Sequence, residues 1–94
     1  MQNDYIFILH PAIEKDTQKL KKEDKRLLAK VWELIVDISK HPFEGIGKPE
    51  PLKGNLTGYW SRRINEKHRL VYKVDGQTVF IISCYGHYDD IPSL

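Results

Sequence analysis

The first apolar run, Tyr5-Ile6-Phe7-Ile8-Leu9, holds two isoleucines and two aromatics and stops at His10-Pro11, which predicts a buried strand. Pro11 suits the first turn of a helix, where its fixed φ fits and its missing N–H has no partner to lose. Beyond it Ile13 and Leu20, seven apart in a polar stretch, predict a helix running to about Lys21 with one narrow apolar face. From about Glu23 to Lys40 the pattern widens, as Leu27, Leu28, Val31, Trp32, Leu34, Ile35 and Ile38 recur at three- and four-residue steps. The short connection implies that these helices are antiparallel. His41-Pro42 closes the second one, and residues 42–52, with three prolines and two glycines, predict a loop. Strands are expected over 58–64, 68–74 and 77–84, the last two joined around Asp75-Gly76. The expected fold class is α/β in the α+β sense, with two N-terminal helices packed on one face of a small, mostly antiparallel sheet.

Strand alternation assigns the faces of that sheet, because only one side can meet the helices. Leu70, Tyr72 and Val74 belong inside, and Arg69, Val71 and Lys73 on the open face. Phe80, Ile82 and Cys84 form the matching inner set, which needs an odd-length turn at Asp75-Gly76-Gln77 to bring Tyr72 opposite Phe80. Ser83 and, if the strand continues, His87 then share the open face with Arg69. Tyr59, Ser61 and Arg63 join them from the preceding strand, while Trp60 and Ile64 face inward.

A chain of 94 residues fits one domain. Its composition, 40% hydrophobic and 30% charged, is that of a globular protein. No run approaches the ~18 apolar residues of a spanning helix, and the start lacks the basic, then apolar, pattern of a signal peptide, so no membrane is expected and a cytoplasmic location is. Cys84 is the single cysteine, which excludes an internal disulfide and a thiol-based metal site and favours a buried, inert thiol. The net charge of +2 conceals an asymmetry: residues 1–47 carry eight basic and eight acidic side chains, and residues 48–88 carry seven basic against three acidic. That basic half suits a polyanion partner.

Cleaving RNA without a metal calls for a base at the 2′-hydroxyl, an acid at the leaving 5′-oxygen and cations at the phosphorane. Glu50, held between Pro49 and Pro51, offers a stiffly mounted carboxylate as base. His87 offers an imidazole that nearby phosphates would keep protonated as acid. Arg63 and Arg69 present planar forks to phosphate oxygens, and Tyr85 and Tyr88 could stack on bases. Each of these types is commonly a plain surface residue; their conjunction is what draws attention. Gly45-Ile46-Gly47 lacks the third glycine of a nucleotide loop, and His10, His41, His68 and His87 lack metal-ligand spacing, so no cofactor is expected.

The string from Pro42 through Gly47-Lys48-Pro49-Glu50-Pro51-Leu52-Lys53, then Trp60-Ser61-Arg62-Arg63-Ile64, His68-Arg69-Leu70-Val71-Tyr72 and His87-Tyr88, resembles the YoeB family of the RelE superfamily. The resemblance runs from about Asp24 to Tyr88. It implies a RelE-like microbial ribonuclease fold over 1–88 and a ribosome-dependent endoribonuclease that cleaves mRNA in the A site. By similarity, Glu50 is the general base, Arg69 the transition-state stabiliser and His87 the general acid, with Lys53, Arg63 and Tyr88 binding substrate. It further implies a YefM-like antitoxin, a homodimer, and operator DNA bound only through the antitoxin. The rival reading is a non-catalytic ParE-like toxin or an antitoxin-bound repressor on the same scaffold. Two features depart from the family pattern. Residues 89–94 extend past the His-Tyr pair as a tail expected to be flexible, with Asp89 and Asp90 beside the catalytic end. Tyr85-Gly86 precedes His87 where relatives often carry a basic residue and a larger side chain, and Gly86 is expected to loosen His87.

Overall fold

The computed structural model describes residues 5–87, so Tyr88 and the tail lie outside the described residues. Strand β1 (Ile6–Leu9) leads through Pro11 into helix α1 (Ala12–Glu23), and α2 (Arg26–Lys40) follows at once. The Asp24 carboxylate accepts the Arg26 backbone N–H and pairs with the Arg26 guanidinium, closing the junction between the helices. Four further strands complete the fold: β2 (Glu50–Pro51), β3 (Trp60–Arg63), β4 (Arg69–Asp75) and β5 (Thr78–Ser83). They form one mixed sheet of order β1-β5-β4-β3-β2, in which β1 runs parallel to β5 and every other pair is antiparallel.

The helices cover one face, as alternation predicts. Ile13 and Leu20 of α1 and Val31, Leu34 and Ile38 of α2 meet Leu70, Tyr72, Val79, Ile81 and Cys84 in the main core. Three details differ from the sequence pattern. First, β1 is an edge strand rather than a buried one: Phe7 packs toward the core, whereas Ile6 is 62% exposed and Ile8 and Leu9 are exposed too. A continuous apolar run is consistent with burial on both faces, but among the described residues helices cover only one side and no strand follows β1 in the order. Second, Trp32 is 66% exposed, because the seam that meets the sheet is the Val31, Leu34, Ile38 line and Trp32 falls beside it. Third, the loop expected over 42–52 includes the two-residue strand β2.

The register of the last hairpin is also different. Asp75 pairs with Thr78, so the turn is the two-residue Gly76-Gln77, and Tyr72 faces Ile81 rather than Phe80. Val79 and Ile81 therefore point inward, and Phe80 pairs with Lys73 on the other side. A bulge then intervenes. Between Val71 and Tyr72 the register slips by one, placing Ser83 opposite Val71 and returning Cys84 to the core. The bulge thus corrects the parity at the functional end, leaving Ile82 on the open side, where it packs with Leu52, Leu56, Tyr59 and Val71. That second cluster roofs part of the open face, and Val71 is completely buried beneath it.

Candidate functional site

The basic end of the open face begins where Arg63 and Arg69 stand directly opposite each other on β3 and β4. Like charges so placed repel. An anion laid across them would relieve that repulsion. Arg63 is exposed, whereas Arg69 is largely buried, and one nitrogen of its guanidinium, Nη1, donates to the carbonyls of Asn65 (2.8 Å), Glu66 (3.1 Å) and His68 (3.2 Å). The turn between β3 and β4 therefore grips this side chain and fixes its direction.

Glu50 reaches the same face from the sheet edge. It pairs with Ser61, and Ser61 pairs in turn with Val71, so all three share the side that carries Arg63 and Arg69. Arg63 is its diagonal neighbour, about 7 to 8 Å away by strand geometry. Arg69 lies two strands over and two residues along, about 12 Å between backbones. That separation leaves room for a phosphodiester between the two side chains. Flanking prolines suit an edge strand, which needs few N–H donors. Beyond β2, Leu52 donates its N–H to Tyr59 (2.8 Å), and exposed Lys53 shares with Glu50 a hollow of about 500 Å³.

The loop that leads to Glu50 is held by a residue that the candidate chemistry does not include. Arg62, between Ser61 and Arg63, points to the helix side and has no exposed surface. Its Nη1 donates to Asp37 Oδ2 (2.5 Å) and the Ile46 carbonyl, its Nη2 to the carbonyls of His41 and Glu44, and its Nε to the Tyr72 hydroxyl (3.2 Å). The Tyr72 hydroxyl in turn donates to the Pro42 carbonyl (2.7 Å). The loop leading to Glu50 is thus wrapped around one buried guanidinium. Burial pushes the Asp37 carboxyl up, but the hydrogen bonds from Arg62 and the Ile46 N–H outweigh it and leave the group below its ordinary value. Gly47 completes the approach: its carbonyl accepts the Arg63 N–H (2.6 Å), its φ is +77°, and a Cβ there would stand 2.7 Å from Leu34. Alternation alone could have revealed Arg62, since it lies between inward-facing Trp60 and Ile64.

His87 follows an irregular stretch, because β5 ends at Ser83 and the chain does not continue as a strand. It is half-buried. Gly86 before it is bonded through both of its backbone polar groups. The Gly86 N–H donates to His68 Nδ1 (2.8 Å), and the Gly86 carbonyl accepts the Arg69 N–H (2.9 Å). Gly86 has a φ of +82°, a conformation glycine adopts at little cost. The structure therefore groups Arg63 and Arg69 at one end of the open face, with Glu50 and Lys53 along its edge, and bonds the residue before His87 to the Arg69 backbone. Tyr88 lies outside the described residues. Among those described, no three His, Cys, Asp or Glu side chains are placed to hold a metal ion.

Residues 10–88 match the family model described as YoeB-like toxin of bacterial type II toxin-antitoxin system. The chain belongs to this family. A YoeB toxin of Synechocystis is 60% identical over 65 residues, covering 69% of this chain and 76% of the relative. Among solved structures, a YoeB/ParE toxin from Agrobacterium tumefaciens superposes with a TM-score of 0.81 at 39% identity, covering 94% of this chain and all of that one. YoeB of Staphylococcus aureus, solved as a dimer, gives 0.79 at 46% identity, covering 89% and 98%. The same toxin in a heterotetrameric complex with YefM gives 0.78 at 46%, with the same coverage. The two helices on a five-stranded mixed sheet are therefore the RelE-type toxin fold of the YoeB family.

Proposed function

We propose that this YoeB-family toxin is an endoribonuclease that cleaves mRNA on the ribosome. The observation that carries the reading is the Arg63–Arg69 pair on the open face, with Glu50 at one side and the clamped approach to His87 at the other. Glu50 removes the proton from a ribose 2′-hydroxyl, and the freed oxygen attacks the adjacent phosphorus. Arg69, assisted by Arg63 and Lys53, stabilises the extra negative charge of the phosphorane. His87 then protonates the departing 5′-oxygen as the P–O bond breaks, leaving a 2′,3′-cyclic phosphate and a free 5′-hydroxyl. Tyr88 aids substrate orientation, by the family resemblance. The ribosome contributes by holding the mRNA in the reactive geometry. The protein works in the cytoplasm.

The S. aureus relative, solved as a dimer and with YefM, supports a YefM-like antitoxin and a homodimer for this chain as well, with operator DNA reached only through the antitoxin. Primer extension on translated mRNA tests the activity. Wild type should give discrete cuts, and His87→Ala and Glu50→Ala should each lower the rate about 100- to 10,000-fold. Growth arrest without transcript cleavage would instead identify a toxin that acts by binding alone.

A further inference from the structure

His68 was unremarkable in the sequence, yet its ring is wholly buried between the catalytic end of the sheet and the end of α1. Its Nδ1 accepts the Gly86 N–H (2.8 Å), so the ring proton resides on Nε2, which faces both oxygens of the Glu23 carboxylate at 3.1 Å. The ring also lies 4.4 Å from that of Tyr85. One residue later, the Arg69 N–H holds the Gly86 carbonyl. Two consecutive residues of β4's entry thus grip both sides of the glycine that precedes His87.

We propose that His68, oriented by Glu23, is a positioning residue that clamps Gly86 and so fixes His87 for proton donation. The proposal rests on the reading of His87 as the acid. Glu23 chooses the tautomer: only a ring with its proton on Nε2 leaves Nδ1 open to the Gly86 amide. Hydrogen bonding from Tyr85 and then from His68 lowers the Glu23 carboxyl from 4.5 to about 2, so it stays an anionic acceptor throughout the neutral range. Lys67, 3.6 Å from the same carboxylate, adds to this. The arrangement suits an imidazole carried on an irregular segment beyond the end of β5.

Two amide replacements separate this role from simple packing. Asparagine can place an oxygen where Nδ1 sits, whereas glutamine places its amide near Nε2 and offers Gly86 nothing. His68→Gln should therefore lower kcat for ribosome-dependent cleavage about 10- to 100-fold with KM unchanged, and His68→Asn should recover most of it. Glu23→Gln, which still offers Nε2–H an oxygen, should behave like His68→Asn. Amide exchange at Gly86 in the full chain provides a readout independent of catalysis: about tenfold faster in His68→Gln and near wild type in His68→Asn. Equal losses of kcat in both His68 variants, or unaltered Gly86 exchange in His68→Gln, would overturn the proposal. If His87→Ala cleaved at the wild-type rate, the acid assignment and the catalytic half of the proposal would fail, while Gly86 exchange would still decide whether the clamp exists.

Discussion

Arg62 and His68 are the buried polar side chains on which the candidate site depends, and neither needs to meet substrate. Arg62 supplies donors for three loop carbonyls, a carboxylate and a phenol, so removing it orphans several buried acceptors together. Breaking such a pair from one side costs about 3 to 5 kcal/mol. Arg62→Met should lower stability by that amount in urea unfolding, and Arg62→Lys should rescue little, since an ammonium lacks the planar fork that engages five partners. A loss below about 1 kcal/mol would mean that the loop is held by other contacts. The outward guanidiniums and the proline-braced carboxylate were legible in the sequence because they follow strand parity or sit in a distinctive string. For Arg62 parity gives the inward direction but not the partners, which lie 10 to 25 positions away; His68 was not legible, because a titratable side chain reads as exposed until its partners are known, and those lie 18 and 45 positions away.

At the level of elements, helix placement followed directly from apolar spacing, and β1, β3, β4 and β5 fell within a residue or two of their expected bounds, whereas β2 lay inside an expected loop. The β4–β5 register did not follow, since parity counted from the turn holds only until a bulge. Here a two-residue turn and a later bulge offset each other, so Phe80 faces outward while Cys84 still faces the core. Gly76 makes that turn with a φ of +60°, and a Cβ there would meet nothing within 4 Å. Gly76→Ala should therefore cost about 1 to 2 kcal/mol from backbone conformation alone. Thermal unfolding would register the loss, with cleavage by the folded protein unchanged. A larger loss, or altered cleavage, would indicate that the turn sets the register of the functional end.

For the whole molecule, acid should be more damaging than mild base. Glu23 and Asp24 are each lowered to about 2, Glu23 by Tyr85 and His68 and Asp24 by hydrogen bonds from Arg26, and Asp37 is lowered by Arg62 despite burial. A depressed carboxyl contributes stability that is present above its unfolded value and lost as pH falls toward its folded one. The melting temperature should thus be nearly level from neutrality to about pH 5 and fall progressively between about pH 4.5 and 2. A midpoint that dropped mainly above pH 5 would assign the loss to other groups. The charge asymmetry of the sequence also acquires a location, because Lys53, Arg63, Arg69 and Lys73 of the basic half lie on or beside the open face.

The grip of three turn carbonyls on Arg69 has a kinetic corollary. An arginine that is free to swing must be stilled each time a nucleic acid strand arrives, and part of the attraction is consumed in stilling it. With one nitrogen already tethered to the protein, that ordering takes place once, as the chain folds, so under the proposed function a phosphate reaching this face would meet a cation whose orientation is already set.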